Sequence, residues 1–411
     1  MVFFGIAMSF VSRTTVLPSL VGRLTGSAPL VGLVETICNG AWLVPQLAAA
    51  RFLATRRARK RYITRPVGVQ RLMFLGIGPM LLLLAVPHPE IAATVLFVVL
   101  GIFFSLDAFA SVAWFDLLTL AIPPAPRARL IGLSQLCSGV AGIGCGLLVG
   151  GILGSPRIAY PASYALLFGL AGASFLCGMV AILCYREHDA HAVTAPAPMA
   201  LFLRELVNLL RSDRQFALLI AVRLLVGASG MATPFYILYA LNGLGYEPAS
   251  IGFFTAAQVA GGIVSSLAMA TLNARRGTRA VIRLCAAVAL STPVIALVTH
   301  ASRAALPHRA LEWVYALVFV SLGALANGGL AGFMSYLLEF APADNRTVYV
   351  GLANTLNGAV LIMPFVGGWI LQGSSYPVLF AATAAVSGAG FLASLWVTEP
   401  RHRVSGAPVS P

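Results

Sequence analysis

Apolar blocks of about 20 residues recur along the whole sequence, separated by short basic or Pro/Gly-rich breaks, and about 20 residues is the helical length that crosses a hydrocarbon core. That core holds no water, so each crossing segment must pair its own backbone N–H and C=O groups, as a helix does. The pattern predicts spans near residues 1–22, 29–50, 69–86, 91–120, 131–153 and 160–184. A second set follows near 214–241, 248–272, 281–300, 311–339, 347–371 and 376–397. The chain is 59% hydrophobic and only 10% charged, whereas a soluble domain carries roughly a quarter charged residues to cover its surface. A water-soluble fold is excluded, and an all-α membrane protein of twelve transmembrane helices is expected.

The net charge of +14 raises nucleic acid as a partner. The basic residues, however, sit in the breaks, with no basic face and no patch interleaved with aromatics of the kind that holds a nucleic-acid strand. Their distribution alternates instead. Arg51, Arg56, Arg57, Arg59, Lys60, Arg61, Arg65 and Arg71 follow the second block, and later loops on the same side hold most of the other Lys and Arg. The opposite loops hold only Arg23, Arg157, Arg303 and Arg309. By the positive-inside rule, both termini face the cytoplasm in a multi-pass protein of the inner (cytoplasmic) membrane. Residues 186–213 then form a cytoplasmic linker, small-residue and proline-rich at 191–198. Leu203, Leu206, Val207 and Leu210 lie opposite Arg204, Glu205, Asn208 and Arg211, which predicts an amphipathic helix on the membrane surface. The halves are 1–185 and 214–399, and residues 400–411 are a cytoplasmic tail. All six cysteines fall within or at the ends of apolar blocks without C-x-x-C spacing. They read as buried free thiols, and no metal or cofactor is expected.

The two sets of spans repeat one another. At an offset of 220, Gly32 falls on Gly252, Ala48 on Ala268, Arg56 on Arg276 and Arg59 on Arg279; at 219, Pro123 falls on Pro342, Arg127 on Arg346, Gly132 on Gly351, Leu133 on Leu352 and Gly139 on Gly358. Six helices separate equivalent positions, so the fold is two parallel six-helix bundles, an arrangement that places a shared cavity near the bilayer midplane. The same alignment sets Met1 against Ala221, about two turns inside a seventh helix that begins near Asp213, so a native start upstream of Met1 is expected.

Two six-helix repeats, basic loops after helices two and eight, and glycine-rich fifth and eleventh helices resemble the major facilitator superfamily over the whole chain. The residues Thr15-Val16-Leu17-Pro18, Leu24-Thr25-Gly26-Ser27, Gly32 and Trp42-x-x-Pro45-Gln46 are similar to a bacterial branch of it. The family's loop signature, G-x-x-x-D-R-x-G-R-R, corresponds to Arg51-x-x-x-Thr55-Arg56-x-Ala58-Arg59-Lys60, with both glycines and the acid replaced. Its proton-antiporter signature, G-x-x-x-G-P-x-x-G-G, corresponds to Gly142-x-x-x-Gly146-Leu147-x-x-Gly150-Gly151, and the eleventh helix carries Pro364-x-x-Gly367-Gly368. Glycines at such spacing let helix backbones approach closely, and a proline loosens the ladder for bending, so these seven positions read as hinge or packing residues.

An ionisable side chain inside a span costs at least a few kcal/mol and so demands a partner or an aqueous cavity. Arg13 and Glu35 lie at similar depth in helices one and two and are candidates for substrate or coupling contact as an ion pair, with a structural clamp that touches no solute as the alternative. Asp107 is mid-span in helix four, and Arg223 is in the inner half of helix seven, where snorkelling to the interface is the plainer reading. The resemblance implies a cavity lined by helices one, four, seven and ten, which makes Asp107, Arg223 and Asn327 contacts for solute. Asp107 is the natural proton-coupling acid. Asp116 is expected to pair with Arg56 and Arg59, and Glu339 with Arg276 and Arg279, as inner-gate latches.

No G-x-x-x-x-G-K-[ST] sequence occurs, so nucleotide-driven pumping within this chain is excluded. The residues and the resemblance together imply a secondary transporter, a monomer in the bilayer that moves a small solute by alternating access, coupled to protons. Few charges in the cavity favour an amphipathic or weakly polar solute and efflux. A polytopic lipid-modifying transferase is the alternative, but the acids are scattered without a catalytic cluster. A sensor or scaffold that carries no flux is a third.

Overall fold

The computed structural model describes residues 1–54, 60–184, 213–342 and 346–400. Among these no strand occurs, and eleven helical segments are long and apolar enough to cross a membrane. The remaining segment divides into α1 (Val2–Phe10) and α2 (Val16–Thr25), each too short to cross alone. There follow α3 (Ala28–Ala54), α4 (Lys60–Leu75), α5 (Ile77–Leu84), α6 (Pro89–Ala121), α7 (Pro124–Leu153) and α8 (Ala162–Cys184). The second series is α9 (Arg214–Ala228), α10 (Thr233–Leu238), α11 (Ser250–Arg276), α12 (Thr278–Ser302), α13 (His308–Phe340), α14 (Arg346–Asn357), α15 (Met363–Gly373) and α16 (Tyr376–Ser394). The linker residues 186–212, with the expected amphipathic helix, lie outside the described residues.

The chain forms two compact units, residues 1–196 with 237–256, and residues 197–236 with 257–411. The internal repeat is visible in the elements themselves: α6 and α13 are both 33 residues long and start at Pro89 and His308. The units also share a device at one end. Lys60, at the start of α4, donates to the carbonyl of Leu183 in the last turn of α8 at 2.9 Å. Arg283 on α12 donates to Ser394 at the end of α16 at 3.4 Å. A cation on the unpaired carbonyls of a helix C-terminus completes their hydrogen bonding and meets the negative end of the dipole.

Proline sets where these helices break. A proline within a helix removes a hydrogen bond and drives its ring against the carbonyl four residues earlier. Pro18 does this to the segment between α1 and α2, where the chain unwinds at Ser12, Arg13 and Thr14 and Leu17 N–H reaches back to Ser12. Pro234 and Pro364 follow 3₁₀ turns at Ser229–Ala232 and Gly358–Ile362 in the same way. Pro45, Pro66 and Pro293 lie inside unbroken helices.

Glycines bring backbones together. A Cβ on Gly146 would stand 2.8 Å from the Ala256 nitrogen, and one on Gly150 2.8 Å from the Ala249 carbonyl oxygen. The i, i+4 spacing thus seats α7 on the start of α11 within the first unit. In the second unit Gly367 abuts the Met231 carbonyl in the same manner, with Pro364 and Gly368 buried beside it. Gly142 is buried, whereas Gly151 is exposed and faces open space. Of the cysteines, Cys38, Cys145 and Cys285 are buried as expected; Cys137, Cys177 and Cys184 are exposed.

Candidate functional site

The first unit gathers a polar cluster at membrane depth. Arg13 stands in the unwound segment before α2, and its Nη1 donates to Asn39 Oδ1 on α3 at 3.0 Å. Its guanidinium also lies 5.6 Å from the centre of the Phe104 ring on α6, close enough for a cation–π attraction. Asn39 is in turn a hydrogen-bond partner of Glu35, one turn earlier on α3, whose second oxygen is buried without a partner among the described residues. Arg13 and Glu35 are therefore brought together, but Asn39 bridges them where a direct ion pair was expected.

Asp107 lies near the middle of α6. Gln70 Nε2 on α4 donates to its Oδ1 at 3.4 Å, Trp42 on α3 is a further side-chain donor, and Arg71 and Arg13 act on it electrostatically. Gln70 is wholly buried and Arg71 only 5% exposed. Arg71 Nε and Nη1, like Gln70 Oε1, have no hydrogen-bond partner among the described residues, and the guanidinium lies 5.5 Å from the Phe175 ring centre.

Arg71 corrects the sequence reading, which placed it in the basic loop. The third span begins at Lys60, nine residues earlier than expected, so Arg71 falls in the middle of the apolar segment Lys60–Leu84. The signal lay in the spacing of Ile63, Val67, Gln70, Arg71 and Phe74, all buried on one side of α4. A helix pattern that runs through a basic start is hidden from a hydropathy window.

In the second unit Arg223 is 9% exposed, and its Nη2 donates to Asn354 Oδ1 on α14 at 3.1 Å. It lies roughly 15 Å along α9 from its cap at 1.5 Å per residue. Bonded inward, it does not snorkel to the interface. Asp213 caps α9, accepting from the backbone N–H groups of Gln215 and Phe216 at 3.0 and 3.1 Å.

Arg56 and Arg59 lie outside the described residues, as do the side chains of Asp116 and Asn327. Glu339, at the end of α13, accepts from Thr278 Oγ1 at 3.1 Å. Glu399 accepts from the Arg279 backbone N–H at 3.0 Å, so it caps the start of α12. The side chains of Arg276, Arg279 and Arg283 line a cavity of about 440 Å³ with Leu272 and Ala280. Among the described residues no group of three or more His, Cys, Asp or Glu could hold a metal ion.

The family model "Major Facilitator Superfamily" matches residues 2–360 and, separately, 218–410. No curated protein sequence matches the chain. Among solved structures, a bacterial homologue of the iron transporter ferroportin in an inward-facing state superposes with a TM-score of 0.69 at 13% identity, covering 96% of each chain. A D-xylose–proton symporter gives 0.69 at 13% identity with 97% of each chain covered. A nucleoside transporter gives 0.66 at 12% identity, covering 96% of each. Identities this low speak for a shared fold.

Proposed function

The chain belongs to the Major Facilitator Superfamily, and from that premise we propose that it is a secondary transporter. It carries a small solute by alternating access and couples that movement to protons through Asp107. The observation that carries the coupling is a carboxylate in mid-helix, held by Gln70 and set against a buried arginine. An acid at such depth is costly unless paired or used, and paired acid–base sets inside membranes mark proton relays. One structural neighbour is a D-xylose–proton symporter by name, which supports the same coupling.

In this reading α1 and α2 together make the first of twelve spans, unwound at Arg13 as discontinuous helices are at carrier sites. The halves are 1–185 and 214–399, with linker and tail on the cytoplasmic side of the inner membrane, and the protein works as a monomer. Protonation of Asp107 removes its hold on Arg71, which changes how α4 and α6 are bonded. That switch ties the state of one proton to the conformation of the bundle.

The test uses the purified full chain in liposomes, with solute uptake driven by an imposed pH gradient and, separately, labelled-for-unlabelled exchange without one. Asp107→Asn is expected to abolish gradient-driven accumulation while exchange persists. Undiminished accumulation in that variant would defeat the coupling assignment. Running the gradient in both directions decides between uptake and efflux, of which efflux is the expectation.

A further inference from the structure

We propose that the transported solute carries an anionic group, a carboxylate or a phosphate, and that Arg223 binds it. This rests on the transporter reading and names its substrate class. It runs against the weakly polar solute that the sequence suggests, because the sequence could not show which charges are balanced.

At membrane depth the first unit balances its charges, with Arg13 and Arg71 set among Glu35 and Asp107. The second unit does not. Arg223 is nine-tenths buried, and its one hydrogen bond among the described residues goes to the neutral amide of Asn354. Every described acid of that unit belongs to a helix end. Asp213 caps α9, Glu312 lies in the second turn of α13, Glu339 holds Thr278, and Glu399 caps α12. An arginine at this depth is expensive without a counter-charge. With Nη2 engaged by Asn354, the Nε and Nη1 donors remain for a ligand, in the planar geometry that matches a carboxylate or phosphate. An amide partner suits this role. It orients the guanidinium without cancelling its charge, so an incoming anion meets a preformed cation.

The same logic predicts that an internal carboxylate would shut the site. Asn354→Asp is isosteric and would place an anion 3.1 Å from Arg223 Nη2, stabilising the fold and occupying the cation. The experiment exposes proteoliposomes of the full chain, under a pH gradient imposed in each direction in turn, to an equimolar mixture of lactate, succinate, glutamate, glycerol 3-phosphate and glucose 6-phosphate with glycerol, glucose, glutamine and uridine. Retained solutes are measured by mass spectrometry against protein-free liposomes. The expected result is enrichment of carboxylates or phosphate esters, cut roughly tenfold or more by Arg223→Gln. Arg223→Lys, which keeps the charge and loses the fork, is expected to retain part of it. Asn354→Asp is expected to raise the thermal midpoint and lose uptake. Enrichment of a neutral solute overturns the anion assignment and leaves the transporter reading standing. Anion uptake that survives Asn354→Asp with a raised midpoint overturns the role of Arg223. Enrichment of nothing counts against the transporter reading, and the inference falls with it.

Discussion

Arg71 and Asp107 show how much one side chain weighs at membrane depth. Arg71 is buried and Asp107 half-buried, each acts on a group of opposite sign, and Gln70 binds the acid from the same helix that carries the arginine. Removing one member of such a pair leaves an uncompensated buried charge, at a cost of about 3–5 kcal/mol. Arg71→Gln and Asp107→Asn are therefore each expected to lower the unfolding midpoint in detergent sharply. The double variant should recover part of that loss, with a coupling of about 0.5–3 kcal/mol in the mutant cycle. Additive losses would show that the two side chains do not sense one another. Arg13 is held differently, by an amide and an aromatic ring, so Arg13→Gln should destabilise less than Arg71→Gln in the same assay.

Helices in this chain owe their contacts to small residues and their breaks to prolines. On α7, Gly150 touches the backbone at Ala249, while Gly151 beside it faces open space. Gly150→Ala is expected to cost about 1–3 kcal/mol through overpacking against a carbonyl that cannot rotate away. Gly151→Ala should instead be neutral or gain up to about 1 kcal/mol from helix propensity. Thermal unfolding of the two variants side by side checks the difference, and equal effects would remove the packing argument. The break at Arg13 admits a functional test. Pro18→Ala restores the missing N–H, so α1 and α2 are expected to join, raising stability while exchange activity falls because Arg13 leaves its place beside Asn39. A variant both more stable and fully active would show that the break serves no transport step.

At the scale of the whole molecule, the arginine asymmetry predicts an orientation in the membrane. In a background without the six native cysteines, Arg275→Cys is expected to resist an impermeant thiol reagent in intact cells, and Ala305→Cys to react. The reverse labelling would invert the topology. The spans, their repeat and the family were legible from the sequence, because a run of about 20 apolar residues is a property of the chain in one dimension and survives any arrangement of the helices. Burial was not. A helix in a bilayer is apolar toward lipid and toward its neighbours alike, so the pattern does not tell which side carries the contacts. Asp107 could be singled out by its charge alone, but its partners Gln70 and Arg71 lie on another helix behind a basic stretch that looked like loop. The position of Arg223 in its helix reads as snorkelling, and it is Asn354, 131 residues away, that holds it inward. The sequence by itself determined that the chain is a series of apolar, membrane-length helices and which of them repeat. The tertiary structure decided which polar groups meet, because only packing brings residues distant in sequence within reach of a hydrogen bond.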